Sequence, residues 1–153
     1  MFRVGLISDT HGLLLPEASE FLRGSDFIIH AGDVCESGII DELAALAPLT
    51  AVRGNCDRGA WAESLGETGL LQVGALNVYA IHNLAHIDIE PDTDGIRVVV
   101  SGHTHRPLVK ESNGVLFVNP GSAGRRGGGH PRSVGELLVD RESVSARIVE
   151  LEG

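Results

Sequence analysis

Phe2-Arg3-Val4-Gly5-Leu6-Ile7-Ser8-Asp9-Thr10-His11 is the stretch that decides the fold. Its first six residues read as a buried strand that ends just before an Asp-x-His pair. The same arrangement, an apolar run and then a metal-type donor, returns along the chain. Phe27-Ile28-Ile29-His30 delivers Gly32-Asp33, and residues 49–52 deliver Gly54-Asn55-Cys56-Asp57. Residues 76–81 deliver His82, and residues 97–100 deliver Gly102-His103-Thr104-His105. Between the early runs, residues 16–23 and 37–46 read as helices, with Pro16 in a first turn and Ser37 as N-cap. Alternating strands and helices predict βαβ units and a parallel sheet.

The second half changes character. Residues 69–73 and 76–81 flank Gly74-Ala75, and residues 108–110 and 115–118 flank Ser112-Asn113-Gly114, a strong hairpin signal. Residues 134–139 and 144–149 flank Asp140-Arg141-Glu142-Ser143 as a third hairpin. Two sheets packed face to face with helices outside is the economical arrangement, as one domain over residues 1–153. Ligands of open α/β sheets collect beyond the carboxyl ends of the strands, where all five donor segments fall.

Seven donors, Asp9, His11, Asp33, Asn55, His82, His103 and His105, suit two adjacent divalent cations sharing one carboxylate. Such a centre activates water and clamps phosphoryl oxygens, which points to phosphoester hydrolysis. Asp9 and His11 lie two apart, so an extended segment would turn both side chains to one side. Taken alone, the pair reads equally as an Asx-turn beside a surface imidazole. Asp33 is the candidate shared carboxylate, because Gly32 permits a sharp turn and a close approach of backbone. Asn55 offers a neutral amide oxygen. Mixed imidazole and oxygen ligation suits Mn²⁺ first, with Fe²⁺, Ni²⁺, Co²⁺ or Zn²⁺ as alternatives set by availability. No pair of cysteines stands at zinc-ligand spacing.

Bulk properties narrow the class. The 153 residues are 42% hydrophobic and 22% charged, as in a globular chain with a sizeable core rather than a disordered one. A formal charge of −9 argues against long nucleic acid as an obligate partner. Two cysteines, Cys35 and Cys56, do not suggest a disulfide framework. No stretch approaches a membrane span or a signal peptide, so cytoplasmic residence is the expectation, with homo-oligomerisation left open.

Asp9-x-His11, Gly32-Asp33, Gly54-Asn55-x-Asp57, His82 and Gly102-His103-x-His105 resemble, in order, the signature of the calcineurin-like metallophosphoesterase superfamily. With Cys56, Ser8-Asp9-Thr10-His11-Gly12 and Asn119-Pro120-Gly121-Ser122, the chain is similar to its small single-domain YfcE-like phosphodiesterases. The resemblance implies a four-layer αββα sandwich of two mixed sheets flanked by helices. It implies two divalent metal ions, the first held by Asp9, His11, Asp33 and His105 and the second by Asp33, Asn55, His82 and His103. A hydroxide bridging them would attack a small phosphodiester or activated phosphoester. Asp33, Asn55, His82 and Asp57 are the catalytic set this implies, with Asn55, Cys56 and Arg58 at the substrate.

Three departures matter. Many larger relatives have a leaving-group histidine where Cys56 stands, and a thiol is a weak donor, so diesters should be favoured over monoesters. Asp57, the partner of that histidine in relatives, is then expected to orient Arg58 or a ligand loop. Asn83 replaces the usual glycine after His82 and is expected to tolerate a positive φ there. Residues 84–95 read as a loop or short turn where a longer helix is often seen. Arg125, Arg126 and Arg132, in a glycine-rich loop, read equally as a phosphate-binding cover and as a solvated loop. His30 is expected in the core or bonded near the site, and His86 at the substrate or on the surface. Cyclic nucleotides and dinucleoside polyphosphates are alternative substrates. A retromer subunit resembling this group is a scaffold with altered ligands, whereas here every ligand position holds a competent donor.

Overall fold

The computed structural model describes residues 1–124 and 129–151. Two mixed five-stranded sheets lie face to face. The first contains β1 (Phe2–Ile7), β2 (Phe27–His30), β3 (Leu49–Ala51), β9 (Ser133–Asp140) and β10 (Ser143–Glu150), in the order β10-β9-β1-β2-β3. The second contains β4 (Thr68–Val73), β5 (Leu76–Ile81), β6 (Val98–Val100), β7 (Leu108–Ser112) and β8 (Val115–Asn119), in the order β4-β5-β6-β8-β7. Strands β1, β2 and β3 run parallel, as do β5, β6 and β8, while the remaining pairings are antiparallel. Parallel strands β1, β2, β3, β5 and β6 are the ones that deliver donors, β3 from the edge of the first sheet.

Strand alternation builds the layers. Val4, Leu6, Ile29 and Ala31 face Val78, Ala80, Val98 and Val100 across the sandwich, in one buried apolar cluster. Ile7 and Ile28 face the other way, onto Ala18 and Leu22 of α1 (Pro16–Leu22) and Ile39 and Leu43 of α2 (Ser37–Ala44). The far side of the second sheet is covered differently. Tyr79, Ile81 and Val99 pack under Leu84, Ile87 and Ile89, from a single 3₁₀ turn (Leu84–His86) and the loop after it. The fourth layer is therefore thin, as the proline and aspartates of residues 84–95 suggest. No described helix is long and apolar enough to cross a membrane.

Local differences have local causes. Ser37 is the first helical residue rather than the N-cap, which is Glu36 without a side-chain cap bond. A four-residue helix, α3 (Ala60–Glu63), is too short to show a periodic pattern in the sequence. Asn83 needs no positive φ: it is extended at −109°, and its amide oxygen accepts from the Ala85 N–H to open the 3₁₀ turn. The Asn113-Gly114 turn has both residues at positive φ (51° and 77°), as a two-residue hairpin requires. The third hairpin is tighter than residues 140–143 suggest, since Asp140 pairs directly with Ser143.

Glu136 joins three strands of the first sheet. Its buried carboxylate accepts from Arg3 Nε on β1 at 2.7 Å and from Arg147 Nε on β10 at 3.1 Å. Burial pushes this carboxyl up, but the two arginines outweigh burial and hold its pKa below the ordinary glutamate value. The stability it adds is therefore present above that ordinary value and is lost as pH falls through the depressed one. Glu136→Gln should cost on the order of 1 kcal/mol at neutral pH, with one arginine partner well exposed. Thermal melts should show the gap between variant and wild type closing as pH drops below about 4; a constant gap would contradict this role.

Candidate metal centre

Each donor lies just past a strand: Asp9 and His11 after β1, Asp33 after β2, Asn55 after β3, His82 after β5, His103 and His105 after β6. Five of the seven adopt the left-handed region: Asp9 (φ 53°), His11 (47°), Asp33 (59°), His103 (72°) and His105 (62°). Cys35 joins them at 68°, and the other described non-glycine residues with positive φ, Asn113 and Arg141, lie in hairpin turns. Such conformations cost about 1–3 kcal/mol each and persist only where surroundings impose them. Asp9 and His11 thus converge through left-handed turns, and not through the strand alternation expected of an extended segment. Strand sterics give way here because backbone bonds hold the loops: Asp9 N–H donates to Gly32 O and His11 N–H to Asp33 O, both at 3.0 Å.

The donors form two abutting groups. In one, His105 Nε2 lies 3.3 Å and His11 Nε2 3.8 Å from Asp9 Oδ1, and His11 Nε2 is 3.7 Å from Asp33 Oδ2. In the other, His82 Nε2 lies 3.3 Å from that same Asp33 Oδ2. Asn55 Oδ1 sits 3.0 Å from His82 Nε2 and 3.2 Å from His103 Nδ1. A single oxygen, Asp33 Oδ2, therefore faces both groups, while its Oδ1 accepts the Cys56 N–H at 2.9 Å. Asp9, Asp33 and His82 are buried and Asn55 and His103 exposed, so the centre has a closed floor and an open mouth.

Two features call for a cation. Asp9 Oδ2 accepts from Ser8 Oγ (2.7 Å) and from the His103 N–H (3.1 Å), but Asp9 Oδ1 is buried without a hydrogen-bond partner. It is the one such side-chain atom among the described residues. Burial accordingly raises the Asp9 carboxyl, against the lowering effect of the Ser8 bond. His82 Nδ1 meets the Ala31 carbonyl at 2.7 Å, so that nitrogen carries a proton, and its Nε2 faces two oxygens, Asn55 Oδ1 and Asp33 Oδ2. Burial alone would lower the His82 pKa, but bonding to Asp33 and Ala31 outweighs it and the pKa is raised. Asp33 mirrors this: burial raises it, while His82 and the Cys56 N–H bring it down to about 2. A positive ion between these atoms removes both conflicts, so the residues fit the implied metals. Among the described residues, Asp9-His11-His105 and Asp9-Asp33-His82 stand close enough to share an ion.

The supporting groups were only partly visible in the sequence. Gly32 is required by contact: a Cβ there would come within 2.6 Å of His82 Nδ1. Gly102 likewise leaves room for Ser8 and Asp9, whose Oδ2 would be 2.7 Å from an added Cβ. Buried His30 accepts the Gly32 N–H at Nδ1 (3.1 Å) and donates from Nε2 to Thr10 Oγ1 (3.0 Å), and burial pushes its pKa down to about 3. Asn119 holds the last donor loop, donating to Gly102 O (3.0 Å) and Thr104 Oγ1 (3.2 Å). Ser122 Oγ donates to Asp9 O. Asp57 accepts the N–H groups of Cys35 (2.8 Å), Asp33 (3.0 Å) and Gly54 (2.8 Å), so it ties two donor loops together. It makes no bond to Arg58 among the described residues. Cys35 also neighbours the centre, as its place two residues after Asp33 signals.

A cavity of about 660 Å³ opens beside Asn55, His82 and His103, with Arg53, Arg58 and His86 on its walls. Arg53 pairs with Glu67 at 3.1 Å, whereas exposed Arg58 has no hydrogen-bond or ion-pair partner among the described residues. Arg132 Nε donates to Gly124 O at 3.2 Å, beside the Asp9 loop. Arg125 and Arg126 lie outside the described residues. Cys35 and Cys56 are free, exposed thiols. Burial and then Asp57 push Cys35 up to about 12, and burial and then Asp33 raise Cys56.

Residues 2–142 match the model of the calcineurin-like phosphoesterase superfamily domain. A probable metallophosphoesterase of Methanothermobacter thermautotrophicus is 34% identical, over 95% of this chain and 91% of its own. The phosphodiesterase YfcE of Escherichia coli is 28% identical, over 95% and 92%. Among solved structures, vacuolar protein sorting 29 of Cryptosporidium parvum superimposes with a TM-score of 0.74 at 22% identity, over 99% of this chain and 100% of its own; that likeness speaks to the fold. With the family's five donor segments in order and converging on one centre, the chain belongs to the calcineurin-like phosphoesterase superfamily.

Proposed function

We propose that this protein is a metal-dependent phosphodiesterase for small phosphodiesters or activated phosphoesters, using two divalent cations, Mn²⁺ foremost. The observation that carries the reading is Asp9 Oδ1, buried without a hydrogen-bond partner and faced by the ring nitrogens of His105 and His11. Asp9, His11, Asp33 and His105 would hold one ion and Asp33, Asn55, His82 and His103 the other, with Asp33 Oδ2 common to both. Ions bound there would supply Lewis acidity toward phosphoryl oxygens and a lowered water pKa, so that no protein nucleophile is required.

The remaining work falls to the chain. Ser8 and the His103 N–H fix the Asp9 carboxylate, and the Ala31 carbonyl fixes the His82 tautomer. Such partners orient ligands and raise their basicity. Asp57, expected among the catalytic residues, is in this reading a positioning residue, since both its oxygens are spent on backbone N–H groups. Arg58 offers its guanidinium to a phosphoryl oxygen or to a second anionic group of the ester. The cavity has the volume of a small-molecule site, and its size also favours a nucleotide-directed reading in which a nucleoside lies against Arg58 and His86. Cys56 places a thiol where an imidazole would help an alcohol depart, which favours diesters over monoesters. The scaffold alternative is disfavoured because each ligand position carries a competent donor.

Protein stripped by chelator should lose hydrolysis of an aryl phosphodiester and regain it with Mn²⁺. Full activity in protein shown metal-free by elemental analysis would sink the reading. Asp33→Ala should weaken both ions together, whereas His82→Ala should weaken chiefly the second, as read by calorimetric titration. Two intact tight sites in Asp33→Ala would refute the shared carboxylate. Cys56→His should raise the monoester-to-diester ratio of kcat/KM, by part of the ~10²–10⁴-fold worth of general acid assistance. An unchanged ratio at full metal occupancy would place substrate preference elsewhere.

A further inference from the structure

Two thiols stand at the mouth of the centre, Cys35 two residues past Asp33 and Cys56 directly after Asn55. Their sulfurs and one ring nitrogen of His11 all lie within 4.8 Å of one another. The placement is built by bonds from both loops. Asp57 Oδ1 accepts the Cys35 N–H, and its Oδ2 accepts those of Asp33 and Gly54, which locks residues 32–35 against residues 54–57. The Cys56 N–H crosses back to Asp33 Oδ1. Cys35 is held at φ 68°, a conformation a non-glycine residue keeps only under constraint. Cys35 Sγ also lies 3.7 Å from His11 Nδ1, on the side of the ring opposite the donor group.

We propose that Cys35 and Cys56 form a reversible disulfide when the protein meets a hydroperoxide, and that this bond weakens the affinity of the adjacent centre for its ions. Burial and the neighbouring carboxylates keep both sulfurs chiefly as thiols, so the step draws on the minor thiolate fraction. That thiolate attacks a peroxide oxygen; an S–O bond forms, the O–O bond breaks, and the departing hydroxide takes a proton to become water. The second thiol then attacks that sulfur; the S–S bond forms, the S–O bond breaks, and the oxygen leaves as a second water. Two electrons pass from the sulfur pair to the peroxide. A thiol reductant reverses the change.

The consequence for the centre follows from what the thiols are attached to. A disulfide requires sulfurs about 2.05 Å apart and Cβ atoms about 3.8 Å apart, so closure draws the two donor loops toward each other. The Cys56 backbone N–H orients Asp33, Asn55 precedes it in the chain, and Cys35 lies against His11, so a shift of the two thiols bears on donors of both groups. Loss of outer partners of metal ligands typically costs ~10–100-fold in affinity. This second half of the proposal rests on the metal-centre reading; formation of the bond does not.

Metal-free protein is treated with hydrogen peroxide, quenched with a thiol alkylator and measured by intact mass and non-reducing peptide mapping. The expected product has lost two hydrogens, resists alkylation at both thiols, yields a peptide pair joined through Cys35 and Cys56, and reverts with dithiothreitol. Cys35→Ser should yield no such pair. Mn²⁺ titration by calorimetry should then show binding weakened ~10–100-fold in the oxidised protein and restored on reduction. Two alkylatable thiols after peroxide treatment would overturn the disulfide, and a disulfide with unchanged Mn²⁺ titration would overturn the coupling. If the reduced protein binds no Mn²⁺, the metal-centre reading fails while the peptide map still decides the bond.

Discussion

A carboxylate oxygen without a donor, Asp9 Oδ1, sits at the floor of this molecule, and much of the surrounding architecture serves to keep it there. An uncompensated buried charge costs several kcal/mol, and water would relieve it if the loops opened. Ser8, the His103 N–H and the Ser122 hydroxyl hold Asp9 in place against such opening. The same loops carry six non-glycine residues in left-handed conformations. Both penalties fall where the family's divalent metal ions would bind, and such an ion would meet the uncompensated oxygen directly.

The two sheets make that concentration possible. Parallel strands of the two sheets end on a common side, so donors far apart in sequence arrive on rigid supports. Asp33, from the first sheet, meets His82, from the second, at 3.3 Å. The sandwich core of Val, Leu, Ile and Ala fixes the sheets against each other and thereby fixes that distance. Floor and mouth differ accordingly: the carboxylates and His82 are buried, while Asn55, His103 and Arg58 line the open cavity.

Much of this was legible in the residues. Runs such as Phe2–Ile7 and Leu76–Ile81 show their strands because both faces are buried, and donors placed just after them mark the edge of the sheet. The Asn113-Gly114 turn was visible because few dipeptides accept two positive φ values. Other features depend on contacts that spacing does not encode. The left-handed Asp9 and His11 are imposed by backbone bonds to Gly32 and Asp33, residues more than twenty positions away. Asp57 could be read as orienting Arg58 or a ligand loop; the direction of its oxygens shows that it clamps two donor loops. Asn83 seemed to stand in for a glycine, but the chain stays extended there and its amide caps the next turn. The thiol pair was hidden because Cys35 and Cys56 belong to different loops, joined through that same clamp.

The most direct test of the account is anomalous diffraction from crystals equilibrated with Mn²⁺. The account predicts two peaks roughly 3.5–4 Å apart, one bonded to Asp9, His11, Asp33 and His105, the other to Asp33, Asn55, His82 and His103, with Asp33 Oδ2 between them. A single peak, or two peaks that leave Asp9 Oδ1 without a bond, would contradict it.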